Sequence, residues 1–128
     1  MFNNTEIAKL LLRLSLGILV LFHGVHKVIY GIGGVKAMLS SSDLPTILAY
    51  GVYIGELVAP IFIILGLYAR VASLVLAFNM LMAIFLAYGF SFSLAKYGGI
   101  SFESPLLFMI MSISVALLGS GKYGVNSK

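Results

Sequence analysis

The chain contains four long apolar stretches, residues 10–30, 47–67, 71–92 and 105–118, which strongly restrict the folds that it can adopt. A helix that crosses the hydrocarbon core of a bilayer needs about 20 residues, and only the last stretch is clearly shorter. Charged residues make up 9% of the 128 residues, against about a quarter in soluble domains. The sequence predicts an all-α integral membrane protein, a single domain over residues 1–128 that forms an antiparallel bundle of four transmembrane helices.

Turn-forming residues separate the four stretches, and we predict loops at each of the three breaks. Glycine and serine dominate the first and third breaks, around residues 31–46 and 93–104, whereas residues 66–70 form a very short link. The second and third helices therefore form a tight antiparallel hairpin. Ser104 before Pro105 is typical of a helix N-cap followed by a proline, which predicts that the fourth helix begins there.

The basic residues are scattered, although the net charge is +4. They form neither a run nor a stripe, so the sequence does not indicate a nucleic-acid partner. Cytoplasmic loops of membrane proteins carry an excess of lysine and arginine. The four-helix scheme places five basic residues on the side of the termini and three on the other, which predicts that both termini are cytoplasmic: Lys9, Arg13, Arg70, Lys122 and Lys128 against Lys27, Lys36 and Lys96.

Glu56 lies near the middle of the second apolar stretch. A charge at that depth costs roughly 2.5 to 3.5 kcal/mol, so such a residue usually faces a partner, a cavity or a ligand. Pro60 follows four residues later and has no N–H to donate to the Glu56 carbonyl. We therefore predict that the side chain and the backbone oxygen of Glu56 are both available for hydrogen bonding at one kink of the helix.

A second group of polar residues lies on the first helix. At 100° per residue they fall within an arc of about 140° on one side of the helix: Arg13, His23, His26 and Lys27. Counted along each helix at about 1.5 Å per residue, His23 lies about 10 Å and Glu56 about 15 Å or less from the outer end of its own helix, and Glu103 lies close in height to Lys27 at the outer rim. We predict a polar cluster in the outer half of the bundle: His23, Lys27, Glu56 and Glu103, with Asn79 of the third helix near the depth of Glu56.

Each of these residues also has a structural interpretation. Lys27 can extend to the lipid headgroups, Arg13 can anchor the helix at the cytoplasmic side, and Glu103 can favour the N-terminus of the fourth helix. Glu56 can form a salt bridge to Lys27 or Arg13 that fixes helix packing. The sequence alone does not decide between these structural roles and a functional site.

Intrinsic metal or redox groups find little support in the sequence. His23 and His26 are three residues apart but have no clear third ligand, so we predict no metal site. Cysteine is absent, which excludes disulfides, thiol relays and cysteine-ligated clusters. Any redox chemistry would therefore involve a molecule that the protein binds.

Short motifs in the right order across all four stretches resemble the DoxX family. They are RLSLG at residues 13–17, FHG at 22–24 with Lys27, LP at 44–45, GEL at 55–57, LGL at 65–67 with Arg70, GG at 98–99 before Glu103, and LG at 118–119 before Tyr123. The resemblance implies a small four-helix protein of the bacterial inner membrane. It also implies that Arg13, His23, Lys27, Glu56 and Glu103 carry the polar signature of the family.

Family members are often labelled oxidoreductases, which implies a membrane subunit of a redox system. We accordingly expect a quinone-like lipophilic molecule at the polar cluster, where Glu56 exchanges a proton, His23 binds a carbonyl, and Lys27 with Arg13 tunes the charge. Glu103 and Asn79 complete the binding residues. A structural or assembly protein, with the polar groups as a salt-bridge network, is the alternative, and a small-solute transporter is a third. Beyond lipid, a redox protein and a second copy of the chain stay open as partners.

Overall fold

Five helices make up the part of the chain, residues 4–88 and 103–126, that this computed structural model describes. They are α1 (Asn4–Tyr30), α2 (Gly33–Ser41), α3 (Thr46–Leu65), α4 (Ala69–Ala83) and α5 (Glu103–Leu118). A π-helical segment, Ile84–Tyr88, continues α4. No strand occurs in these two ranges, so the prediction of an all-α protein is confirmed for them.

Three of the helices are long and apolar enough to cross a membrane: α1, α3 and α4 together with the start of its π-helical segment. The chain is therefore a multi-pass membrane protein. Helix α5 has 16 residues, or about 24 Å at 1.5 Å per residue, which is less than the roughly 30 Å of a hydrocarbon core. A fourth span, and with it the complete four-helix bundle, stays a prediction.

The helix boundaries differ from the predicted ones by small amounts, apart from an earlier start of α1 at Asn4. Helix α3 ends at Leu65 because Gly66 adopts a left-handed conformation with φ of 71°, which terminates the helix. Helix α5 begins at Glu103, so the predicted N-cap Ser104 lies inside its first turn, where the following proline is tolerated. The predicted end of the third helix, residues 89–92, lies outside the described residues.

Helix α2 corrects the prediction of a loop between the first two long helices. Its glycines indicated a turn, but Val35 and Leu39 follow at helical spacing and give it one apolar face. That face packs against Ala49 of α3 and Leu86 beyond α4, and Leu39 is buried. The connection is therefore a short amphipathic helix laid against the bundle.

One apolar core joins the four longer helices. Its buried side chains come from α1, α3, α4 and α5, among them Leu16, Ile63, Leu76 and Val115. Most of the remaining large apolar side chains on these helices are exposed. In a multi-pass membrane protein those side chains contact lipid, so the lipid bilayer is a partner of this chain.

Contacts between polar side chains and helix backbones show how neighbouring helices run. Lys27, late in α1, bonds to α3 at Glu56, whereas Arg13, early in α1, bonds to the last turn of α3. These two helices are therefore antiparallel. Arg70, at the start of α4, donates to the last carbonyls of α5, so α4 and α5 are antiparallel as well. We call the end that holds Lys27 the distal end and the end that holds Arg13 the terminal end.

Candidate functional site

Helix α3 changes its winding around Glu56. Its first turn, Thr46–Tyr50, is a 3₁₀-helix, and Ile54–Val58 is a π-helix in which Ala59 N–H donates to the Ile54 carbonyl. Pro60 lies in the first turn of the α-helical segment that follows and has no N–H to give to the Glu56 carbonyl, so the regular α-helical pattern is interrupted there. Single π-helical turns inside α-helices are frequent at functional sites.

Both oxygens of the Glu56 carboxylate have a partner. Oε2 lies 2.5 Å from Lys27 Nζ of α1, and Oε1 accepts a hydrogen bond from Asn79 Nδ2 of α4 at 3.3 Å. Only 6% of Glu56 is exposed. A buried carboxylate requires such an arrangement, because an unpaired charge in an apolar interior is strongly disfavoured. Glu56 thus connects three helices through one side chain.

Two glycines make this convergence of helices possible. A Cβ at Gly24 of α1 would lie 2.1 Å from the carbonyl oxygen of Glu56, so only glycine allows the two backbones to approach this closely. A Cβ at Gly55 would lie 2.6 Å from Asn79 Cγ. The glycine before Glu56 therefore leaves the space that the Asn79 side chain occupies.

A cavity of about 370 Å³ opens beside the ion pair. Its polar groups come from α1, α3 and the first turn of α5, and the remainder of its wall is apolar: His23, Lys27, Glu56 and Ser104, with Met80, Ala83, Pro105 and Phe108. The His23 ring meets the Phe108 ring edge-on, with 5.8 Å between the ring centroids. One wall can therefore form hydrogen bonds while the opposite wall is apolar.

A second cavity, of about 400 Å³, lies between α2, α3 and α4. Its lining is apolar except for Asn79: Val35, Leu39, Leu48, Gly51, Ile54, Gly55, Val75, Phe78, Met82 and Leu86. The two cavities share no lining residue. We refer to them as the Glu56 cavity and the apolar cavity.

The structure brings three of the predicted residues into direct contact and places a fourth on the same cavity. Lys27, Glu56 and Asn79 are bonded to one another through Glu56, and His23 lines the Glu56 cavity. Glu103 has the predicted height at the start of α5 but is exposed, and no hydrogen bond or ion pair joins it to any residue in the described ranges. Its neighbour Ser104 lines the cavity instead.

Arg13 lies apart from this cluster, at the terminal end. Its position in α1 is 14 residues before Lys27, which corresponds to about 21 Å along the helix. The guanidinium is fully buried, and Nη1 donates to the carbonyls of Ile63 and Ile64 at 3.0 and 3.1 Å. Arg13 therefore caps the last turn of α3, where a positive charge also complements the helix dipole.

Other residues of the site had only a weak signal in the sequence. Met80 and Ala83 are spaced as one face of α4, and Phe108 lies in an apolar run of α5, so neither pattern distinguishes a cavity from ordinary packing. His26, the second histidine, stacks on Tyr30 with 4.6 Å between the ring centroids instead of facing Glu56. Residues 4–88 and 103–126 contain no group of three histidine or acidic side chains placed to hold a metal ion.

Comparison with known proteins identifies a family and a relative of this chain. The sequence model of the DoxX family matches residues 8–89, a range that includes His23, Lys27, Glu56 and Asn79. A protein of Bacillus subtilis (strain 168), named "Putative oxidoreductase CatD", is 31% identical over 120 residues, which cover 94% of this chain and 85% of that protein. No solved structure matches. The family match thus covers the helices that form the ion pair, whereas α5 lies beyond it.

Proposed function

Since this chain belongs to the DoxX family, we propose that it is a membrane subunit of a redox system that holds a quinone-like lipophilic molecule in the Glu56 cavity. The observation that carries the proposal is an ion pair with a buried carboxylate on the wall of a cavity of about 370 Å³ among apolar helices. Small-molecule sites typically occupy about 300 to 1,000 Å³ and combine apolar walls with a few polar groups. The dimensions and the lining both suit an aromatic ring that carries oxygen atoms.

The residues on this wall divide the chemistry between them. Interconversion of a quinone and a quinol moves two electrons and two protons, and Glu56 and His23 are the groups on the cavity that exchange protons. Lys27 balances the negative charge of the Glu56 carboxylate and donates to ligand oxygens. The electrons pass to or from a partner redox protein. The name of the Bacillus subtilis relative supports the redox part of the proposal alone.

Binding of a quinone analogue tests this proposal directly. We expect Glu56→Gln and His23→Ala to weaken binding to the purified protein in lipid nanodiscs, measured by calorimetry. A hydrogen bond to a charged group contributes about 1.5 to 3 kcal/mol, so Glu56→Gln should lower the affinity by about 10- to 150-fold.

Asp43→Asn is the matched control, because it also removes one carboxylate charge. Asp43 is exposed in the connection before α3 and has a φ of 58°, which asparagine tolerates. This variant should bind the analogue with unchanged affinity. Equal affinities for the unmodified protein, Glu56→Gln and His23→Ala would remove the basis of the proposal.

A second function, structural support within a larger assembly, is favoured by one observation: the Lys27–Glu56 pair joins α1 to α3. Lys27→Glu and Glu56→Lys should each destabilise the protein, and the double variant should recover stability because opposite charges face each other again. If the pair also forms a ligand site, the double variant should not recover quinone binding. Binding that is unaffected by all three variants would leave only the structural role.

We also propose that the protein resides in the bacterial inner membrane with both termini in the cytoplasm and that α5 supplies a fourth span. Five of the eight basic residues belong, by their place in the sequence, to the terminal end. The antiparallel contacts between α4 and α5 support the fourth span, because they return the chain towards its starting side. This orientation puts the Glu56 cavity in the outer half of the membrane.

A further inference from the structure

The hydrogen bond between Glu56 and Asn79 joins the linings of the two cavities. Glu56 lines the Glu56 cavity, Asn79 lines the apolar cavity, and the two side chains are bonded at 3.3 Å. Gly55 adds no side chain at this point, since the Asn79 side chain occupies the space that a Cβ of residue 55 would need. The two cavities therefore adjoin at this contact, which forms part of the wall between them.

The apolar cavity has a chemistry that suits a hydrocarbon chain. Asn79 supplies its only polar side chain, and that amide is already engaged with Glu56. A polar ligand would lose its hydration there without gaining hydrogen bonds. A flexible apolar chain, in contrast, would fill the roughly 400 Å³ and contact side chains from three helices.

We propose that the apolar cavity receives the hydrocarbon tail of the molecule whose ring lies in the Glu56 cavity; this inference rests on the proposed function. Asn79 is then the movable element of the wall. Its hydrogen bond to Oε1 is long for an N–H···O contact, and its side chain is half-buried, whereas the Lys27 bond on Oε2 is short. The amide therefore leaves first, and a ligand hydroxyl takes its place as donor to Glu56 Oε1.

This arrangement makes Asn79 a specificity-determining residue. A molecule with a tail gains the contacts of the apolar cavity, and a ring with a hydroxyl replaces the hydrogen bond that Asn79 gives up. The site therefore selects lipid-tailed quinols over free rings and over plain hydrocarbons. A membrane lipid chain that fills the apolar cavity independently of the ring is the competing occupant.

Two benzoquinols that differ only in the tail, a decyl chain against a methyl group, provide the probes, and they are kept reduced so that their hydroxyls can donate to Glu56 Oε1. Their affinities are measured by calorimetry in nanodiscs of one lipid composition. Gly51→Leu fills the apolar cavity, because Gly51 lines it and a Cβ there meets nothing within 4 Å. Gly34→Leu is the matched control: Gly34 lies on α2, meets nothing within 4 Å and does not line the cavity.

We expect Gly51→Leu to weaken binding of the decyl compound at least tenfold and to leave the methyl compound unchanged, while Gly34→Leu alters neither. The smaller Gly51→Val serves if the leucine variant does not fold. If both compounds depend on Glu56 for binding but neither loses affinity in the Gly51 variant, the tail site is wrong and the proposed function stands. Binding that does not depend on Glu56 for either compound would overturn both.

Discussion

The close approach of α1 to the Glu56 backbone can be tested with a single methyl group. Gly24→Ala would place a Cβ 2.1 Å from the carbonyl oxygen of Glu56 and 2.7 Å from its carbonyl carbon. Cβ atoms in proteins essentially never approach another heavy atom within 3.0 Å, so the two backbones must separate by about 1 Å. Both obstructing atoms belong to the backbone of the π-helical segment, which cannot move aside as a side-chain tip can.

The free-energy cost follows from these distances. Inserting a methylene into a packed interior costs about 1 to 3 kcal/mol, and a backbone obstacle places Gly24→Ala in the upper half of that range. Alanine is favoured over glycine in a helix by about 0.5 to 1 kcal/mol, which offsets part of the cost. We expect the free energy of unfolding to fall by about 2 kcal/mol.

Gly51→Ala is the control for this measurement, because the same methyl group there meets nothing within 4 Å. It gains the helix preference without the overlap, so the two variants should differ by about 2 to 3 kcal/mol. Thermal and denaturant unfolding in one detergent, followed by circular dichroism, measures the difference. If Gly24→Ala proves as stable as Gly51→Ala, the close approach of α1 to the Glu56 backbone is wrong.

Two further predictions concern the terminal end and the topology. Arg13→Met should lower the free energy of unfolding by about 1 to 3 kcal/mol, because it leaves two carbonyls of α3 without their side-chain donor. It should not change the affinity for quinone. A loss of affinity equal to that of Glu56→Gln would show that Arg13 belongs to the binding site. Because the chain has no cysteine, single cysteines report topology in intact cells: a membrane-impermeant maleimide should label Ser42→Cys and not Tyr123→Cys, and the reverse pattern would invert the proposed orientation.

Sequence patterns predicted the long helices and part of the polar cluster. Apolar length and turn residues located the helices because a bilayer imposes both constraints directly. The sequence left Lys27 and Arg13 as possible partners of Glu56, and in the structure the partner is Lys27. Residue counts along a helix could not decide between them, because the reach of a long side chain is not part of such a count.

Arg13 shows where the same reasoning fails. A helical projection placed it on the side of His23 and Lys27, but projection ignores the distance of about 21 Å along the axis. Arg13 meets the end of α3 instead of its middle. Helix α2 was missed for a different reason, since its two initial glycines hid an apolar face that only the packing against Ala49 reveals.

The winding of α3 determines how the two halves of this helix are oriented relative to each other. A hydrogen bond that closes one residue later than in an α-helix, as from Ala59 to Ile54, accommodates one extra residue without breaking the span. Removing one residue of 54–58 would therefore replace the π-helical turn by an α-helical one and leave the two halves of the helix facing as they do now. Rewinding the same residues as an α-helix without a deletion would instead rotate the two halves by about 100° relative to each other. Ala49 would then turn away from Leu39 while Ile63 kept its place in the core. The π-helical turn thus allows one span to pack against α2 with one half and against the core with the other.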